Sequence, residues 1–278
     1  MQLVSTSTQR TYRYLRLSIV GAVVLLFAAL GLTIARFGAI DSISAAYYTP
    51  ARDIFVGSVF AVALALMALS GRSVSQALLD YAAIVAPLIA IVPAPLEPGD
   101  VPADAPDIGV GVISLVIVAA CGAVLAFVLA LVQRMLSVAL GVALAIAAAI
   151  VVAVAVWWVA QPESFLAWGH VVAAFTFFAL IAAVAAIAAW SVHETSRADV
   201  ASVFRLLYSI VAVGIIAALA MLLAVIALDT QGIDLVEQTG IPLVFIGEVV
   251  ALVLFAAFWL IQTIELWDAT NPSLRPRP

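Results

Sequence analysis

The chain has 278 residues, 67% of them hydrophobic and 10% charged, with a formal net charge of −5. A soluble domain carries about a quarter charged residues, so water is excluded as the solvent for most of this chain. All eleven basic residues are arginine, which excludes lysine chemistry such as a retinal Schiff base. The single cysteine, Cys121, excludes an internal disulfide and a cysteine-based zinc site, and reads as a small packing residue.

Taken in chain order, the apolar runs fall at 17–36, 54–70, 77–94, 110–132, 136–160, 168–190, 206–228 and 241–264. They are continuous rather than alternating, which selects helices over the strands of a β-barrel. The expected fold is therefore all-α: a polytopic transmembrane bundle of eight spans forming one unit over 1–278. The first run has an apolar core of about twenty residues, too long for a cleaved signal peptide, and is read as a retained anchor. The second and third runs are near the lower limit for crossing.

Orientation follows from arginine placement. Arg10, Arg13, Arg16, Arg72, Arg134, Arg197, Arg205, Arg275 and Arg277 fall on one side, and only Arg36 and Arg52 on the other. Both termini are thus expected in the cytoplasm of a multi-pass bacterial inner-membrane protein. The loop at 93–109, PAPLEPGDVPADAPDIG, reads as an extended, solvated connector outside any site. The segment at 194–205 reads as a cytoplasmic connector.

Ionisable groups within the hydrocarbon are functional candidates. Glu248 lies about 9 Å along the last span at ~1.5 Å per residue and should face the bundle. His170 opens the sixth span beside Trp168, where it is either a site residue or a wet interfacial group. Asp80, early in the third span, reads as a charge complementing the helix dipole.

The stretch ISAAYYTPARDIFVG at 43–57 runs from the first outer loop into the second span. A helix there would place Tyr48 and Arg52 on one column and Asp53 and Gly57 on the next, with Thr49 as cap and Gly57 allowing a close helix contact. Interfacial anchoring by tyrosines is one account. The other is a polar pocket, because Arg36, Asp41, Tyr47, Tyr48, Arg52, Asp53, His170 and Glu248 all belong to the outer half of the membrane. In that pocket Asp53, His170 and Glu248 would be acid/base groups or share a metal of unknown identity. Arg36, Tyr47, Tyr48 and Arg52 would bind a ligand, with the arginines meeting phosphate.

YYTPARDIFVG also resembles the signature YYT-x-x-RD-x-FVG of a family of bacterial polytopic membrane proteins without an assigned activity. Three later pieces are similar to the same pattern: IAIVPAP, HVVAAFTFF and GEVVALVLFAAFW. The resemblance implies a shared architecture and outer site, and no chemistry.

Three function classes remain. The outer cluster binds or modifies a lipid head group or envelope precursor; the chain is a proton-coupled small-molecule transporter; or it is a non-catalytic assembly partner of another membrane protein. The fourth, fifth and seventh spans are almost purely Ala, Val, Leu and Ile at their centres, which counts against conduction. Only two histidines are present, which counts against a multi-histidine zinc hydrolase, and no G-x-S-x-G motif supports serine chemistry. Membrane lipids are the expected partners, with a membrane-protein partner or second copy left open. Nothing points to nucleic acid or to a particular cofactor.

Overall fold

A computed structural model describes residues 7–69, 71, 73–95, 107–195, 198–233 and 235–267. Among them there is no strand. The helices are α1 (Ser7–Phe37), α2 (Arg52–Ala68), α3 (Val74–Ile91), α4 (Gly109–Val132), α5 (Val138–Ala160), α6 (Pro162–Thr195), α7 (Ala198–Asp229), the short α8 (Leu235–Thr239) and α9 (Leu243–Glu265), with a 3-10 helix at Ser44–Tyr48. Eight long helices thus match the eight apolar runs. Seven are long and apolar enough to cross a membrane; α2, with 17 residues, is the shortest.

Several helices outrun their apolar segments. The polar stretch STQRTYRYLR continues α1 toward the N-terminus, and α6 and α7 extend into the connector expected at 194–205, of which residues 196–197 lie outside the described set. The start of α3 is set by a capping box: Ser73 Oγ accepts the Gln76 N–H at 3.2 Å, and Gln76 Oε1 accepts the Ser73 N–H at 3.1 Å. That corrects the role expected of Asp80, which lies further along the helix.

Arg13, near the start of α1, stacks over the Trp267 ring at 4.4 Å and donates to its carbonyl at 2.9 Å. Arg16 Nε donates to Gln262 Oε1 at 3.0 Å, and the Tyr208 hydroxyl to Glu265 at 2.6 Å. These contacts tie α1, α7 and α9 together where the chain begins and ends. We call this the terminal end of the bundle, and the opposite one the site end.

Helices α1, α2, α3, α6, α7 and α9 form the packed core, with Trp259, Tyr208, Phe165, Phe255 and Phe258 fully buried. Close approach of α7 and α9 depends on glycine. A Cβ on Gly247 would stand 2.7 Å from Met221 Cε and 2.8 Å from Leu222 Cδ2. The glycine expected to serve this way, Gly57, instead faces open space. The α4–α5 hairpin stands at the side of this core, with only Val112, Ala130 and Val151 buried. Cys121 is exposed there, so it is not a packing residue of the interior.

Candidate functional site

Between α1 and α2 the chain does not pass over the bundle; it enters it. Ile43, Ser44, Ala46 and Tyr47 are all buried. Irregular backbone at membrane depth needs a partner for each N–H group, because no water is present to supply one. Some partners are backbone carbonyls, as for Ala46 and Thr49, and the others are side chains. Glu248 Oε2 accepts the Ile43 N–H, and the Ser44 N–H at 3.4 Å. Ser42 Oγ accepts the Ala45 N–H at 2.9 Å, and Thr49 Oγ1 the Ala51 N–H at 3.1 Å.

The same inserted segment joins the two ionisable residues singled out from the sequence. Ser44 Oγ lies 2.6 Å from Glu248 Oε1 and 2.8 Å from His170 Nε2. His170 Nδ1 lies 2.8 Å from the Val92 carbonyl. Pro93 explains the availability of that carbonyl: the residue before a proline is pushed out of the helical region, and Val92 is extended, at ψ 113°. His170 is only 4% exposed, so it is not a wet interfacial group. The reason is that α6 begins at Pro162, placing the imidazole about two turns inside the helix.

A proton count follows from these contacts. The Val92 carbonyl can only accept, so Nδ1 carries a proton. The Ser44 hydroxyl has one proton for two close neighbours. With an ionised Glu248 and a neutral His170, one of those contacts would set lone pair against lone pair. A further proton therefore resides on His170 Nε2 or on the Glu248 carboxyl, and in both arrangements the Glu248–Ser44–His170 trio has no net charge.

The trio closes one end of a cavity of about 270 Å³, roughly nine times the ~30 Å³ share of a liquid water molecule. Its walls come from α1, α2, α3, α6, α7 and α9 and are almost wholly apolar, including Leu26, Val59 and Leu222. Phe177, Phe178 and Phe255, mutually edge-on at 5.2 to 6.5 Å, line it further in. Ser58 also lines it; its hydroxyl is buried and has no hydrogen-bond partner. Such a group costs about 1–3 kcal/mol when left unsatisfied.

The remaining candidates lie elsewhere. Tyr47 is buried, with the Arg52 guanidinium 4.6 Å from its ring centroid and Arg52 Nη2 donating to its hydroxyl at 3.3 Å. The expected Tyr48–Arg52 column does not form, because residues 44–48 are a 3-10 helix and α2 begins only at Arg52. Tyr48 instead donates to the Ala94 carbonyl at 3.0 Å, and burial, helped by Tyr47 beside it, pushes its phenol above the ordinary value of 10. Arg36, Asp41 and Asp53 are exposed and do not line the cavity. The metal option for Asp53, His170 and Glu248 finds no support, since no three His, Cys, Asp or Glu among the described residues are grouped to hold an ion. Of the 93–109 loop, residues 96–106 lie outside the described residues.

Sequence reasoning missed Ser44 and Ser58, the first within the very stretch that drew attention. A serine carries no charge to mark it as misplaced in lipid, and only the fold reveals what it joins. No family model, curated protein or solved structure matches the chain.

Proposed function

We propose that this is a bacterial inner-membrane protein, with its site end facing outward, that binds a lipid-like amphiphile inside the bundle. The apolar chain occupies the cavity and the polar head meets Ser44, His170 and Glu248. One observation carries the reading: three polar side chains from three separate segments, Ser44 and His170 buried and Glu248 half-buried, converge at one end of an otherwise apolar cavity. Ligand sites commonly combine apolar walls with a few placed polar groups.

Binding is favoured over turnover. Ser44 and His170 have the spacing of a nucleophile and base, but the adjacent backbone N–H groups that could hold an oxyanion donate to Glu248 instead. The experiment is native mass spectrometry of the full chain extracted in mild detergent. A lipid should co-purify with the wild type and be depleted in Ala251→Phe and Ala22→Phe, which fill the cavity from α9 and α1. A wild type free of lipid, or both folded variants retaining it, would defeat the reading.

A further inference from the structure

The walls of the cavity bear on the charge of its occupant. An anionic head group brought into a low-dielectric interior needs a cation or several spare donors. Among the described residues no arginine lines the cavity, and the chain has no lysine. Neither Arg36, which is exposed, nor Arg52, which packs on Tyr47 and leaves its Nε without a partner, lines the cavity. The trio adds no net positive charge: where His170 holds the proton, its imidazolium is matched by the ionised Glu248. Among the described residues, a phosphate at this end would meet a carboxyl group and no unmatched cation.

What the cavity does offer is neutral hydrogen bonding. The Ser58 hydroxyl is 4% exposed as a residue and without a partner. The protons of Ser44, His170 and Glu248 are taken up by their own contacts, so toward a ligand these residues offer oxygens that can accept from its hydroxyl, and Ser58 offers the free donor. Resting on the binding reading above, we propose that the occupant is a lipid with an uncharged oxygen head, an alcohol or a carbonyl, on an isoprenoid or acyl chain. Lipids ending in phosphate or carboxylate are the excluded classes, and an amine is told apart by its own probe. This revises the role expected of Arg36 and Arg52 as phosphate contacts.

Three probes with one tail separate the classes: farnesol, farnesyl phosphate and farnesylamine. Each is titrated at equal mole fraction in detergent against the delipidated full chain, with bound probe read by native mass spectrometry. Farnesol should bind at least about tenfold more tightly than either charged analogue. Ala251→Phe and Ala22→Phe should each weaken it, which places the probe in the cavity even if one variant folds poorly. Farnesyl phosphate or farnesylamine binding as tightly as farnesol would overturn the uncharged-head inference and leave the amphiphile reading in place. Failure of all three probes would overturn both, as would binding that neither cavity-filling variant weakens.

Discussion

The cavity-bearing core and the α4–α5 hairpin are made of much the same apolar amino acids, yet they use them differently. Across Gly109–Val132 only Val112 and Ala130 are buried, and across Val138–Ala160 only Val151. Across the 18 residues of α3, by contrast, Ser75, Leu79, Ala82, Ala83, Val85, Ala86, Leu88 and Ala90 are buried. In a bilayer the lipid is as apolar as the protein interior, so hydrophobicity places a helix in the membrane without saying what it faces. Buried polar side chains and the Phe177–Phe178–Phe255 cluster mark the core, whereas the hairpin, as rich in small residues, leaves nearly all of them unburied.

That contrast is exposed to mutation. The largest effect belongs to Glu248→Leu, which strips the Ile43 and Ser44 amides of their acceptor and leaves Ser44 and His170 without their third member. A loss of about 3 kcal/mol is expected, from the cost of buried donors left unsatisfied. Reversible unfolding in mixed micelles measures it, and an unchanged midpoint would mean the inserted segment is held by something else.

Next comes Gly247→Val. Its side chain would press on Met221 and Leu222 of α7, and overpacking of this kind costs about 2 kcal/mol. The same unfolding assay reads it, and a neutral result would show that the helices part without penalty.

The smallest effects are expected on the hairpin. Ile117 and Val142 are exposed, so Ile117→Leu and Val142→Leu should each change stability by less than about 0.5 kcal/mol. A loss matching that of Gly247→Val would break the comparison, because it would mean the hairpin packs against a partner rather than lipid.

The contrast also explains what could be read before the structure. All eight long helices were legible, since each leaves a continuous apolar run that needs no knowledge of its neighbours. Glu248 was legible as a buried candidate because a carboxylate in lipid must be explained. Contacts between segments were less so. The spacing of four between Tyr48 and Arg52 predicts a shared helical column, but the 3-10 helix and the turn before Arg52 shift the register and bring Tyr47 to the guanidinium. Gly57 and Gly247 look alike in sequence, and only packing distinguishes the open position from the crowded one. Ser44 left no signal, because a neutral hydroxyl tolerates many surroundings and its importance lies in what stands on either side.

The enclosed Glu248–Ser44–His170 chain is the centre of this account, and nitrogen NMR of His170 tests it most directly. The chain has two histidines, so His193→Gln leaves one imidazole to observe. The account predicts a protonated Nδ1 and a hydrogen-bonded Nε2 in the membrane-embedded protein, with the Nε2 signal displaced by Ser44→Ala and the Nδ1 signal retained. An imidazole that titrates freely with the bulk solvent and ignores Ser44→Ala would contradict it, because the ring would then lie in water rather than buried against Ser44 and Val92.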